Sequence, residues 1–257
     1  IITGTVCSSV AMSVAKTTQA NDVLYIASGA TDPAVTKQGD LIFRLWVSDD
    51  HEAKSIASYA VKELGVKTFG IAFVNDNPAG LALGENFKTT AELLGAKILG
   101  SESHSSTERD FKTEITKLIS LKPEALYLMA LPQQTATIIN QARDLGFKGP
   151  ILGYSPSLTS QGIADQIKNK GDIYYSTPAN QQTTNFWTDY KTKTSTDADQ
   201  LVALGYDSMK VIASGLKECG ENNKCIAEYI KNLKDYSSAR GILNFDQSFG
   251  IIMGSGV

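Results

Sequence analysis

Short β-branched or aliphatic runs alternate with longer amphipathic segments along most of this 257-residue chain, and that alternation is the mark of an α/β fold. The strand candidates are Ile1–Val6, Val23–Ser28, Leu41–Trp46, Thr68–Asn75, Lys97–Ser101, Ala125–Leu131, Pro150–Tyr154, Asp172–Thr177 and Gly241–Phe245. Several are continuous apolar runs, as strands covered on both faces are. Between them, Glu52–Leu64 puts Ile56, Tyr59, Ala60 and Leu64 on one helical face, Asp110–Leu121 does so with Phe111, Ile115, Leu118 and Ile119, and Gln134–Leu145 aligns Ile138, Ala142 and Leu145. Gly65, Pro123 and Gly146 stand where these helices must stop.

After Pro178 the pattern changes. A polar stretch around Phe186, Trp187 and Tyr190 leads into two successive helices separated by little more than Gly220-Glu221-Asn222-Asn223. Two helices without an intervening strand break the alternation. The expectation is two α/β lobes, with the chain crossing between them more than once. With 42% hydrophobic and 20% charged residues, a disordered, collagen-like or coiled-coil chain is excluded. A net charge of −3 with no basic cluster argues against nucleic acid or an anionic membrane as partner, which leaves a small molecule or a protein.

The chain opens on Ile1-Ile2-Thr3-Gly4 without an initiator Met, a basic leader region or a cleavage motif, so any export signal is expected to have been removed or to lie outside it. Its longest apolar run is strand-sized, well short of the ~18 residues that cross a bilayer. Cys219 and Cys225 flank a turn-rich spacer that suits a local disulfide, and neither has the neighbours of a zinc site. Cys7 is left over and is expected to be a small buried residue, with a partner outside the chain as the alternative.

The usual catalytic and cofactor signatures are missing: no phosphate-binding glycine loop, no H-E-x-x-H, no C-x-x-C and no G-x-S-x-G. Of two histidines, His104 is expected in a solvated loop and His51 on the surface of a helix's first turn. The acidic pairs Asp49-Asp50 and Asp197-Ala198-Asp199 precede helices, where they complement the positive end of the dipole. An enzyme with a common site is therefore unsupported, and neither a cofactor nor a metal is expected.

What remains are two loops of hydroxyls and small residues, each directly after a strand: Cys7-Ser8-Ser9 and Ser28-Gly29-Ala30-Thr31-Asp32-Pro33. In open α/β sheets ligands bind beyond the carboxyl ends of strands, and a free helix N-terminus favours an anion. Two readings stand level at this point: a carboxylate clamp, or ordinary N-capping by Ser8 or Ser9 beside an ordinary turn.

These loops, followed in order by Phe43-Arg44-Leu45-Trp46-Val47-Ser48-Asp49, Tyr59–Gly65, Asp110-Phe111, Lys122-Pro123-Glu124-Ala125, Gln141–Gly146 and Gly205-Tyr206-Asp207, resemble the type I periplasmic binding proteins of the leucine/isoleucine/valine class. The resemblance runs over nearly the whole chain. It implies two doubly wound lobes joined by a three-stranded hinge, with lobe I at 1–65 and 179–246, lobe II at 66–178 and 247–257, and crossings near Val66, Pro178 and Asp246. It implies a monomeric, non-enzymatic protein that is periplasmic or extracellular, either secreted or lipid-anchored to the cell surface, and that captures an amino acid or related organic acid for an ABC permease. A ligand-binding sensory or regulatory domain of the same fold is the alternative.

By that resemblance Ser8, with Ser9 adjacent, and Gly29-Ala30-Thr31 hold the ligand carboxylate. Leu131, at a strand end, adds an apolar contact. The opposite lobe of an amino-acid binder supplies an aromatic residue before a glycine and an acid for the ammonium group. Here those positions are Ala79, before Gly80, and Ser155, and both depart from the pattern. Asp76 and Tyr154 are the candidate substitutes. A buried ammonium without a carboxylate partner costs several kcal/mol, on the order of an unpaired buried charge, so an acid lacking an amine fits the surviving half of the site better. Tyr206-Asp207 is read either as lining the cleft or as a core tyrosine with a capping aspartate.

The family begins with a further strand–helix–strand–helix unit ahead of the segment corresponding to Ile1, and the cysteine that pairs with Cys7 belongs to it. The resemblance therefore implies a first lobe lacking its opening unit, a C-terminus short of the last strands, and marginal stability for the chain by itself.

Overall fold

In a computed structural model the described residues are 1–154, 157–158, 162–176, 184–245 and the backbone of 251–253. They form two compact units, Ile1–Ser48 with Pro178–Val257 and Asp49–Thr177.

The first unit opens with β1 (Ile2–Gly4), α1 (Ser8–Ala20), β2 (Tyr25–Ala27) and β3 (Ile42–Arg44). The three strands pair in that order, all parallel, with Ile2 opposite Tyr25 and Tyr25 opposite Ile42. β2 and β3 are buried throughout, which accounts for their lack of polar alternation. Leu24, Ile26 and Phe43 pack on one side with the later helices, while Tyr25, Ala27 and Ile42 pack on the other with Ala11 and Ala15 of α1.

The second unit runs α2 (Asp49–Lys62), β4 (Thr68–Val74), α3 (Pro78–Leu93), β5 (Lys97–His104), α4 (Lys112–Ser120), β6 (Ala125–Met129), α5 (Pro132–Asp144), β7 (Ile151–Gly153), α6 (Ile163–Gln166) and β8 (Ile173–Tyr175). Its parallel sheet has the order β5-β4-β6-β7-β8, so the winding reverses between β4 and β6. That is a doubly wound sheet with its switch point at those two strands. Phe87 of α3 stacks on Tyr127 of β6 and meets Phe69 edge-on, centring the core under the switch point.

The unit boundary falls before α2, whereas the sequence placed the first crossing near Val66. Ala53, Ile56, Ala57 and Ala60, spaced at helical intervals, pack with Phe69, Leu83 and Phe87 of the second unit, and this packing decides where the helix belongs.

The first unit resumes with α7 (Phe186–Thr194), α8 (Gln200–Cys219), α9 (Asn223–Lys231), β9 (Tyr236–Ser238), β10 (Gly241–Phe245) and β11 (Ile251–Met253). The last three strands form an antiparallel sheet, with β10 between the others. β11 thus pairs in the first unit, not in the second lobe to which 247–257 were assigned. The expected link between Cys219 and Cys225 is a disulfide with Cα atoms 5.7 Å apart, joining the end of α8 to the first turn of α9. Cys7 is a free thiol and exposed, contrary to the buried position expected of it.

Candidate functional site

At the carboxyl edge of the β1-β2-β3 sheet, the loops after β1 and β2 continue the strand pairing. Ser28 and Gly29 donate their amides to the carbonyls of Gly4 and Thr5, both at 3.0 Å. The approach is tight enough that a Cβ on Gly29 would sit 3.2 Å from Val6 Cα, so glycine fits here where a side chain would push the loops apart.

This pairing brings Ser8 to the second loop. The Ser8 hydroxyl oxygen accepts from the amides of Thr31 at 3.3 Å and Asp32 at 3.2 Å. Neither Ser8 nor Ser9 caps α1. The capping position is Cys7, which contributes no side-chain bond, and the helix begins at Ser8 itself. Of the two level readings, N-capping by these serines is therefore not what the fold does. Thr31 is buried and Ser8 half-buried, while Ser9 is exposed on α1 and stands outside this cluster. Asp32 closes a local turn by accepting from the Ala34 amide at 2.8 Å.

Behind the loop lies Arg44, the last residue of β3, only 1% exposed. Its Nη1 donates to the carbonyls of Thr31 at 3.2 Å, Trp46 at 3.1 Å and Ala30 at 3.5 Å. One guanidinium thus fixes the outward course of the second loop and of the chain leaving β3. Sequence reading missed this role. The available signal was a charged side chain inside an otherwise apolar strand run, Leu41-Ile42-Phe43-Arg44-Leu45.

Tyr206-Asp207 is not the core tyrosine with a capping aspartate that was one of its two readings. Asp207 is fully buried on α8 and paired with Arg240, while Tyr206 is exposed and rests against Phe186, with ring centroids 4.6 Å apart. Nearby, Ser208 bonds Ser28 at 2.9 Å and tethers α8 to the end of β2. Asp199 caps α8 through the Val202 amide, as its position before the helix implied, and Asp197 forms an exposed ion pair with Lys191.

In the second unit, the loops after β4 and β6 flank the switch point. Asn77 caps α3 by accepting from the Ala79 amide at 2.9 Å, and Gly80 follows where a Cβ would lie 2.2 Å from the Val74 carbonyl oxygen. Leu131 is the residue before α5, and its amide donates to the Gln134 side chain at 3.3 Å. Tyr154, just past β7, is half-buried and directs its hydroxyl to Asp49 Oδ1 at 3.5 Å. Ala79, Leu131 and Tyr154 therefore share the carboxyl edge of this sheet, and Ser155 lies outside the described residues.

Asp76, one of the two candidate substitutes for the acid, is already engaged. It is exposed, and its carboxylate is taken up by the Ser106 amide and hydroxyl at 2.9–3.0 Å, which holds it below the usual carboxylate range. Asp49 and Asp50 stand in the first turn of α2, at the positive end of its dipole as their place before a helix implied, and Asp49 is buried there together with Glu52. The fully buried Tyr127 phenol is raised well above its ordinary value, chiefly by burial and then by the charges of Glu52 and Asp49.

His104 is a further correction. It closes β5, is 2% exposed and meets Phe111 edge-on at 5.0 Å, so it belongs to the core and not to a solvated loop. His51 is exposed, as its position implied. Among the described residues no cluster of acidic, cysteine or histidine side chains is arranged to hold a metal, and no helix is long and apolar enough to cross a membrane.

The family profile described as periplasmic binding protein matches residues 1–254. Among curated proteins, the chain is 23% identical to a Leu/Ile/Val-binding protein homolog of Brucella melitensis over 96% of its own length and 68% of the relative's. Among solved structures, a leucine-binding protein from Thermotoga maritima superposes with a TM-score of 0.86 at 25% identity, covering 98% of this chain and 74% of the other. A solute-binding protein from R. palustris in complex with benzoate shares the fold with a TM-score of 0.82 at 18% identity, covering 98% and 71%.

Proposed function

The chain belongs to the periplasmic binding protein family, whose members are non-enzymatic, extracytoplasmic solute binders, and from that premise we propose that it captures a small carboxylate-bearing solute and delivers it to an ABC permease. One observation carries the choice of ligand class. Ser8 is held against the Thr31–Asp32 loop at the N-terminus of a 13-residue helix that no side chain caps, with the Arg44 guanidinium behind the loop. Free amides at a helix start, two hydroxyls and a buried cation all favour an anion. The binding residues in this reading are Ser8, Gly29, Ala30 and Thr31, with Ser9 at the rim.

At the edge of the second unit, Ala79, Leu131 and Tyr154, with Ser155, are the proposed contacts to the body of the solute. Ala79 and Leu131 are apolar and small or aliphatic, and Asp76 is committed to Ser106. Support for an amine-free acid comes from this composition and from the R. palustris protein of the same fold, which is in complex with benzoate. Lipid anchoring at the cell surface is part of the same proposal.

The test is a thermal-shift screen against the twenty amino acids and a panel of aliphatic and aromatic carboxylates, with calorimetry on each hit. One-to-one binding of an acid, lost when its carboxylate is replaced by a carboxamide, is expected. Equal binding of acid and amide would overturn the clamp.

A further inference from the structure

The indole Nε1 of Trp46 has no hydrogen-bond partner among the described residues, although the side chain is only 7% exposed. Buried N–H groups are satisfied in nine cases of ten or more, roughly, and each exception asks for a missing acceptor. The protein's other tryptophan obeys the rule, since Trp187 Nε1 donates to the Ala239 carbonyl at 2.7 Å.

The place of Trp46 says what kind of acceptor is missing. It stands two residues past β3, at the same carboxyl edge that carries Ser8 after β1 and Thr31 after β2. The Arg44 Nη1 that holds the Thr31 carbonyl at 3.2 Å also holds the Trp46 carbonyl at 3.1 Å, so one nitrogen ties the two main chains together. The ring is fixed too. The Arg240 guanidinium lies 5.8 Å from the ring centroid and is itself locked by Asp207, which leaves the indole face engaged and its N–H edge without an acceptor.

We infer that Trp46 is a ligand-binding residue, its N–H donating to a carboxylate oxygen of the bound solute and its ring forming an apolar wall beside it. This rests on the reading that the Ser8–Thr31 edge receives a carboxylate, and it adds a third donor drawn from the third strand. A rigid aromatic donor beside the clamp also accounts for selection of carboxylic acids with an apolar body, because the ring makes a poor wall for a charged or strongly hydrated one.

With only two tryptophans, the experiment is direct: ¹⁵N-labelled protein gives two indole N–H signals, and Trp187→Phe assigns them. The protein is titrated with L-leucine and with benzoate. On binding of either, the Trp46 signal is expected to move downfield while that of Trp187 stays, and Trp46→Phe is expected to weaken binding by about tenfold. The same variant leaves the melting temperature of the free protein unchanged or raised, since it removes an unsatisfied buried donor and keeps a ring. Binding with an unmoved Trp46 signal and an unaltered affinity in Trp46→Phe would overturn the inference and leave the clamp standing. If neither these two nor any other acid of the panel binds, the carboxylate reading fails and this inference falls with it.

Discussion

Arg240 Nε donates to Asp207 Oδ2 at 3.0 Å, with both side chains out of solvent. Asp207 comes from α8 and Arg240 from the turn between β9 and β10, and each has a second task. Asp207 Oδ1 accepts from the Ala239 amide at 2.7 Å, and an Arg240 Nη donates to the Leu45 carbonyl at 2.8 Å. The pair thus fastens a helix and a hairpin to the end of β3, the strand that delivers Arg44 and Trp46. Burial draws the Arg240 guanidinium below its ordinary value, and the Asp207 charge opposes that shift.

Removing one member of such a pair leaves the other charge buried. Asp207→Asn is expected to cost about 3–5 kcal/mol of unfolding free energy. The double variant Asp207→Asn with Arg240→Met is expected to lose less than the sum of the single losses, because no lone charge remains. Urea denaturation of the four proteins measures the coupling, and strictly additive losses would contradict it.

Ser8→Ala deletes the acceptor for two loop amides on a half-buried side chain. A loss of about 1 kcal/mol in stability is expected from the missing hydrogen bonds. Affinity for a carboxylate hit is expected to fall by about tenfold or more, since the hydroxyl and the order it imposes on Thr31 go together. Calorimetry with Ser8→Ala and Ser9→Ala side by side separates the two serines, because exposed Ser9 lies outside the cluster and its replacement is expected to change little.

Arg44→Met keeps the volume of the buried stem and removes the donor to three carbonyls. Stability is expected to drop by roughly 2–4 kcal/mol, in the range of lost charge-assisted hydrogen bonds and orphaned carbonyls. Arg44→Lys retains the charge without the planar fork and is expected to recover only part of that loss. Denaturation curves for the two variants make the comparison, and full recovery by lysine would show that charge alone matters.

Periodicity located strands β1 to β8 and β10: buried parallel strands such as β2 and β6 leave unbroken apolar runs, and amphipathic helices leave a stripe between the strands. The helix Pro78–Leu93 was not legible. Gly80 and Gly84 lower its helical preference, and Asn75-Asp76-Asn77-Pro78 looks like a turn until Asn77 is seen to cap a helix with Pro78 in its first turn. Site geometry was less accessible still. Ser28 meets Ser208 across 180 residues and Arg240 reaches Leu45 across 195, and no local pattern encodes such pairs. His104 misled because the residues around it, Ser103, Ser105 and Ser106, are polar, while its own side chain turns inward onto Phe111.

The disulfide closes a short loop, with a sequence separation of 6. Loop-closure entropy gives about 2 kcal/mol for a ring of that size, at the lower end of the usual range. Replacing Cys219 and Cys225 together by serine is expected to lower stability by about that amount without affecting ligand affinity, since the bond lies between α8 and α9, away from the Ser8 edge. Paired melting and calorimetry experiments check both halves of the expectation.

The buried His104 supplies a pH dependence whose sign follows from its surroundings. Burial pushes its pKa below the ordinary 6.5, outweighing the opposing pull of Glu108, a bond with Gln134, and the charges of Glu114 and Asp76. In the folded protein the ring is therefore neutral where the unfolded chain already takes up a proton. The unfolded state binds more protons in that window, so stability rises with pH. The contribution is intact above about 6.5, the unfolded value, and is lost progressively as pH falls from there towards the lower folded value. His104 also terminates β5, where its carbonyl accepts from the Asn75 amide at 2.9 Å, and Gln134 ties the adjoining Ser105 carbonyl to the helix start at Leu131. Protonation is thus expected to loosen the switch-point loops of the second unit. Urea midpoints at pH 7.5 and 5.5 test this: the unmodified protein should lose stability between them, and His104→Asn, which cannot titrate, should lose markedly less. Identical losses in the two proteins would assign the pH dependence to other groups.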